Sequence, residues 1–263
     1  MDAGTGLTLL GSAIGGAKIL EKLLGPTSEY IGEAIKEWTE KKVNNVQRIF
    51  KNAEEKLGSR INEPGSVPPK ILKAVLGDGA WCEEELQADY FGGILASSRS
   101  GVNRDDRGAY IISIISKLSS YQLRTHYLFY HSLKQHFNGH DLNIGTSSDR
   151  GKMRIYIPIT SWIESMDLQL DEINNLHQIF QHAIWGLNKE QLIDTFKYGD
   201  PEDMICKKAS IYGVEFNPSQ LGVEIFLWAY GEGRKQNNDF FKTNMNFKII
   251  DGFRLSPTHK SVE

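Results

Sequence analysis

Residues 63–137 read EPGSVPPKILKAVLGDGAWCEEELQADYFGGILASSRSGVNRDDRGAYIISIISKLSSYQLRTHYLFYHSLKQHF, and this stretch decides the fold class. It divides into four short helices with clear stops. Pro68 and Pro69 open the first, since the missing N–H of proline is not needed in a first helical turn. Ile71, Leu72, Val75 and Leu76 follow at helical spacing, and Gly77-Asp78-Gly79 ends the run. Glu83, Glu84 and Glu85 fall in the first turn of the second helix, where the helix dipole favours carboxylates. Leu86, Tyr90, Phe91, Ile94 and Leu95 form its apolar face, and Ser97 to Arg107 is a polar loop. The third helix turns Ile111, Ile112, Ile114, Ile115 and Leu118 inward, and Ser119 or Ser120 caps a fourth that runs to about Phe137. A multi-helix core over 63–137 is expected, with Leu86, Tyr90, Ile94, Ile112, Ile115 and Tyr127 buried.

Upstream, residues 1–58 read as a helical arm. Residues 5–24 suggest a helix with Leu9, Ala13, Gly16, Leu20, Leu23 and Leu24 on one face. Gly11 and Gly15, four apart, permit close approach of a second helix. This arm packs on its own protein, acts at a membrane, or is a disordered tail. Its uncharged run, 5–17, is shorter than the roughly 18–20 apolar residues that span a bilayer, and no basic segment precedes it as in a secretory signal. Gly25-Pro26 breaks the chain. A second helix, capped by Thr27 or Ser28, carries Ile31, Ala34, Ile35, Trp38, Val46, Ile49 and Ala53 to about Leu57. Gly58 to Pro69 is a linker.

Downstream, residues 150–263 read as an α+β domain, so the whole is mainly α with a small α+β C-terminal part. MRIYIPI (153–159) alternates and is β-branched, so a strand is expected, with Pro158 marking an edge or an end. Residues 169–186 suit an amphipathic helix through Leu170, Ile173, Leu176, Phe180 and Ile184, and 188–196 a short helix. Further strands are expected at 211–216 and 244–251, and Pro218 opens a helix containing Ile225 to Trp228.

The 263 residues carry a net charge of −3, so no whole-chain attraction draws the protein to nucleic acid or acidic lipid. Cys82 and Cys206 are too few for a disulfide framework or a thiolate metal site. No phosphate loop, dinucleotide fingerprint or nucleophile elbow is present, and no cofactor is implied. His126, His131, His136 and His140 rotate around a helix and do not converge on one metal. The acidic group Glu83, Glu84, Glu85 and Asp89 reads as dipole stabilisation and a solvated face. Arg124 and His131 are seven apart, offset by only about 20° on one helix. Such a pair suits phosphate stabilisation and proton transfer. Its spacing is similar to a loose form of the HEPN ribonuclease motif, without the commoner four-residue gap. The plain alternative is a charged helix edge with Arg124 paired to Asp105 or Asp106. Arg234 to Lys260 interleaves six basic residues with Phe240, Phe241, Phe247 and Phe253. That helix-then-β arrangement resembles a winged DNA-binding module, diluted by Asp239 and Asp251.

Five pieces, LLGPTSEYIGE (23–33), VPPKIL (67–72), EEELQADYFGGILASSRS (83–100), DDRG (105–108) and LSSYQLRTHYLFY (118–130), occur in an order that resembles the Abi-alpha family of bacterial abortive-infection proteins. The resemblance implies a role in phage defence and assigns no active residues. The expectation is a cytoplasmic, non-enzymatic sensor or effector, with peripheral contact at the inner membrane as a further possibility. It would act through Leu9, Gly11, Gly15, Leu20 and Leu23 on a protein partner, a second copy or a membrane surface. The alternative is a HEPN-like ribonuclease using Arg124 and His131, or a nucleic-acid-binding defence protein.

Overall fold

Capping chemistry and apolar period carry over into a mainly helical chain with one small antiparallel sheet. A computed structural model describes residues 17–25, 39–102, 104–245, 247, 250 and 253–261. The helices are α1 (Ala17–Leu24), α2 (Glu40–Leu57), α3 (Pro69–Asp78), α4 (Glu85–Ser98), α5 (Arg107–Ile115) and α6 (Ser120–Phe137), then α7 (Ser147–Lys152), α8 (Ile159–Met166), α9 (Leu176–Lys189) and α10 (Gln220–Ala229). The strands are β1 (Ile155–Pro158), β2 (Ile193–Gly199), β3 (Gly213–Pro218) and β4 (His259–Lys260). Two compact units divide the chain: residues 1–117 with 227–234, and residues 118–226 with 235–263. The division falls after Lys117, so the fourth helix of the 63–137 stretch groups with C-terminal residues. Residues 40–57, read above as part of an arm, lie in the first unit.

In the first unit α2 packs along α4. Thr39 caps α2 by accepting from the Lys42 N–H, and Gly58, at φ +51°, ends it. The two backbones come close because Gly92 has no Cβ: one built there would lie 2.6 Å from Asn52 Cβ and 2.9 Å from the Ile49 carbonyl oxygen. Polar ties fix α2 to the Gly79–Trp81 turn and to α4. Asn45 donates to the Ala80 carbonyl at 3.0 Å, and Lys56 pairs with the buried Asp89 at 2.8 Å. Gly93 faces another way, and a Cβ there would sit 1.7 Å from the Ala229 carbonyl oxygen. Ser97 completes that seam, donating to the Trp228 carbonyl and accepting from the Gly233 N–H, both at 3.0 Å. All six residues expected in the core are buried, Tyr127 among them in the second unit.

Arg99, buried at the end of α4, organises the N-terminal side of the first unit. Its guanidinium donates to the carbonyls of Lys22 (2.9 Å), Arg60 (3.1 Å), Ile61 (3.1 Å) and Glu63 (2.5 Å). Burial, then the nearby Arg234 charge, lowers its pKa, with Glu63 opposing. α1 is docked through this clamp, through the Val67 N–H to the Leu24 carbonyl, and through Leu23 and Leu24, both fully buried. The remainder of the proposed arm, including Leu9, Gly11, Gly15 and the Ile31 to Trp38 stripe, lies outside the described residues.

In the second unit the sheet runs β2-β3-β1-β4, antiparallel throughout. Phe216 on β3 stands between Ile155 and Phe196 on its neighbours and stacks on Phe129 of α6, centroids 4.0 Å apart. On the opposite face Tyr156, Glu215 and Lys197 share a register line. Pro158 ends β1, as expected. Three expectations are revised. The short helix at 188–196 is replaced by the end of α9, a turn at Gln191 (φ +58°) and strand β2, whose Thr195–Tyr198 segment favours extended backbone. The expected helix over 169–186 begins only at Leu176, after a 3-10 turn at Ile173–Asn175, and Leu170 and Ile173 are exposed. The described residues of the expected 244–251 strand are not extended into the sheet, and its fourth strand is β4.

Candidate functional site

Helix α6 carries both candidate catalytic residues. Ser119 caps it with a complete capping box: its hydroxyl accepts from the Gln122 N–H, and the Gln122 side chain accepts from the Ser119 N–H. From Gln122 to Phe137 nearly every side chain is buried, polar ones included. His131 is 3% exposed. Its ring lies edge-on to Phe247, centroids 4.3 Å apart, and 5.7 Å from Tyr127. Among the described residues its Nδ1 has no hydrogen-bond partner, and burial pushes its pKa down to about 4, so it is neutral at pH 7. Arg124 is half-buried, and its Nη1 donates to the Ser165 carbonyl at 3.2 Å. The expected partners are engaged elsewhere: Asp105 with Arg107 at 2.8 Å, Asp106 with Lys70 at 3.0 Å.

The other polar groups of α6 are also held in place. His126, fully buried, donates from Nε2 to the Gly222 carbonyl at 3.2 Å, and burial lowers its pKa to about 3. Tyr130 donates to the Leu192 carbonyl at 2.5 Å and accepts from the Ser219 N–H. Lys134 donates to the Phe240 carbonyl at 2.8 Å, and burial pulls its pKa down to about 8.

An open, polar hollow of about 490 Å³ lies beside the β2 end of the sheet, lined by Arg150, Asn188, Gln191, Asp194, Ser219 and Gln220 among others. Arg150 pairs with Asp194 at 3.0 Å and donates to the Ile144 carbonyl. The Ser219 hydroxyl is committed, donating to the Gln191 carbonyl and accepting from the Gly222 N–H. The hollow offers amides and an ion pair suited to a small polar molecule, without an activated nucleophile. These residues come from three separate segments, so no local motif announces them. Among the described residues no group of three His, Cys, Asp or Glu is placed to hold a metal.

The interaction residues fare differently from one another. Leu9, Gly11 and Gly15 lie outside the described residues, and Leu20 is described only as part of α1. Leu23 is fully buried in the first unit. The aromatic residues of the basic C-terminal segment are corrected in part. Phe240 and Phe241 are buried, so they are not open to stacking bases. Among the described residues no helix is long and apolar enough to cross a membrane. In comparisons with protein-family models, curated proteins and solved structures, nothing matches this chain.

Proposed function

We propose that this chain is a non-catalytic sensor or effector of bacterial phage defence, working through contacts with a protein partner or a second copy of itself. It acts from the cytoplasm, with peripheral contact at the inner membrane as a further mode. The observation that carries the non-catalytic part is the burial of His131 against Phe247 and Tyr127, with Arg124 directed to a backbone carbonyl. A general acid or base needs its proton within reach of substrate, and this ring is enclosed. The defence setting rests on the Abi-alpha resemblance. Many of its residues do structural work: Asp89 on Lys56, Gly92 and Gly93 at close backbone contacts, Arg99 as a clamp, Ser119 as a cap. A scaffold of this kind leaves function to its surfaces, and we assign partner contact to the segment with Leu9, Gly11, Gly15 and Leu20.

The test is a phage challenge of bacteria expressing the wild type, His131→Phe and Leu9→Asp. His131→Phe keeps the ring packing and removes any acid–base capacity, so protection should persist. Leu9→Asp places a carboxylate on an apolar contact face and should reduce protection at unchanged melting temperature. Loss of protection in a folded His131→Phe protein would favour the ribonuclease reading. A wild type that protects against no phage removes the defence setting.

A further inference from the structure

Helix α9 and strand β2 pack together in the second unit, joined by the left-handed turn at Gln191. Two side-chain contacts cross their seam. The Asn188 amide nitrogen donates to the Asp194 carbonyl at 3.4 Å. The Trp185 ring meets Phe196 edge-on, centroids 5.0 Å apart and planes at 88°. Asn188 and Asp194 line the polar hollow. Trp185 stands three residues before Asn188 on the helix, about 5–6 Å from it at Cβ, and Phe196 two residues after Asp194 on the strand. Trp185 is 55% exposed. An indole held by an edge contact thus stands within one helical turn of the hollow's wall.

The charges that line the hollow cancel. Arg150 commits its Nε to Asp194 Oδ2 at 3.0 Å and its Nη1 to the Ile144 carbonyl at 2.9 Å. The Asn188 and Gln220 amides each turn the nitrogen to a backbone carbonyl, Asp194 at 3.4 Å and Gly145 at 3.1 Å. That fixes which end of each amide is open. Among the described residues, Asn188 Oδ1, Gln220 Oε1 and Asp194 Oδ1 accept no hydrogen bond. The lining is therefore neutral, rich in acceptors and held in place. A phosphate would have to displace Asp194 from Arg150, and an ammonium ion would meet Arg150 beside the hollow's one carboxylate. A neutral molecule with several hydroxyls meets neither obstacle, and Asp194 offers it a charge-assisted hydrogen bond.

We propose that the hollow and the Trp185 ring form a binding site for a neutral oligosaccharide. One sugar ring places its hydroxyls on Asp194, Asn188 and Gln220, and the next lies on Trp185. The C–H bonds on the flat side of a sugar ring are weakly positive and an indole face is negative, so the two attract while burying apolar area. At about 490 Å³ the hollow has the size of a small-ligand site. A single-stranded nucleic acid also stacks on exposed rings, but its backbone calls for a groove of unpaired cations, and Arg150 is paired. The site stands or falls without the defence reading.

The experiment is isothermal titration of the full-length chain with three neutral probes, maltotriose, cellotriose and N-acetylchitotriose, and with an oligothymidylate as the nucleic-acid probe. Saturable binding of at least one trisaccharide, millimolar or tighter, is expected. Trp185→Ala and Asp194→Asn should each weaken it about tenfold, and Trp185→Phe, which keeps a ring, should restore most of the loss. Leu170→Ala, at an exposed apolar position in the loop before α9, should leave it unchanged. Melting curves identify any variant that fails to fold, and Trp185→Ala, at an exposed position, keeps the test decisive if Asp194→Asn does not fold. Binding of none of the three trisaccharides, equal affinity in wild type and either folded variant, or binding of the oligothymidylate without competition from a trisaccharide would each overturn the assignment.

Discussion

His131 and His126 give single residues a measurable role. Both imidazoles are enclosed and neutral, with pKa values near 4 and 3 against an ordinary 6.5. The unfolded chain takes up protons near pH 6.5, and the folded chain resists them. Between those values the unfolded state binds more protons, so stability falls as pH drops below about 6.5. For His131 the full loss is on the order of 3 kcal/mol by pH 4. His131→Phe removes that share, so the midpoint of acid unfolding, followed by circular dichroism, should move to lower pH. An unchanged midpoint would mean that the ring is already solvated. The seven-residue spacing to Arg124 was legible in the sequence, but its surroundings were not. α6 is buried on nearly every side, so sharing a line along the helix does not place that line in solvent.

At the scale of elements, α4 is set by two adjacent glycines that face different neighbours. Gly93→Ala would drive a methyl into the Ala229 carbonyl, and overpacking of this kind costs about 1–3 kcal/mol or more. Gly77, within α3, meets nothing within 4 Å. Replacing it with alanine should stabilise the chain by roughly 0.5–1 kcal/mol through helix propensity alone. Thermal melts of the two variants should shift in opposite directions, and shifts of the same sign would undo the packing account. The helices of 63–137 could be read because each has its own local stop or cap: Pro69, Gly79, Ser119. β1 and β3 could be read because both are buried and carry β-branched residues. β2 was missed because it follows a helix closely and bulges between Ile193 and Phe196, and β4 is two residues long. Two residues are too few for a period to appear, and β2, seven residues long but mostly exposed or half-buried, shows no apolar alternation.

On the scale of the whole molecule, what the sequence concealed was connectivity. Nothing local in LWAYGEGR (227–234) announces that these eight residues group with the first 117. Yet the Trp228 carbonyl and the Gly233 N–H meet Ser97, the Gly231 carbonyl accepts from Arg60, and Arg234 donates to the Arg99 carbonyl. A fragment of residues 1–117 therefore lacks partners for buried polar groups and leaves the Gly93 seam uncovered. It should unfold without a cooperative transition, while the same fragment joined through a flexible tether to 227–234 should regain one, as read by thermal circular dichroism. Equal cooperativity in the two would show the returning segment to be dispensable. The same wiring imposes an order on biosynthesis. A ribosome releases residues 1–117 long before 227–234, so the nascent first unit waits, incomplete, through the translation of about a hundred further residues, with the seam that Trp228 and Ala229 later close exposed to chaperones and to neighbouring nascent chains.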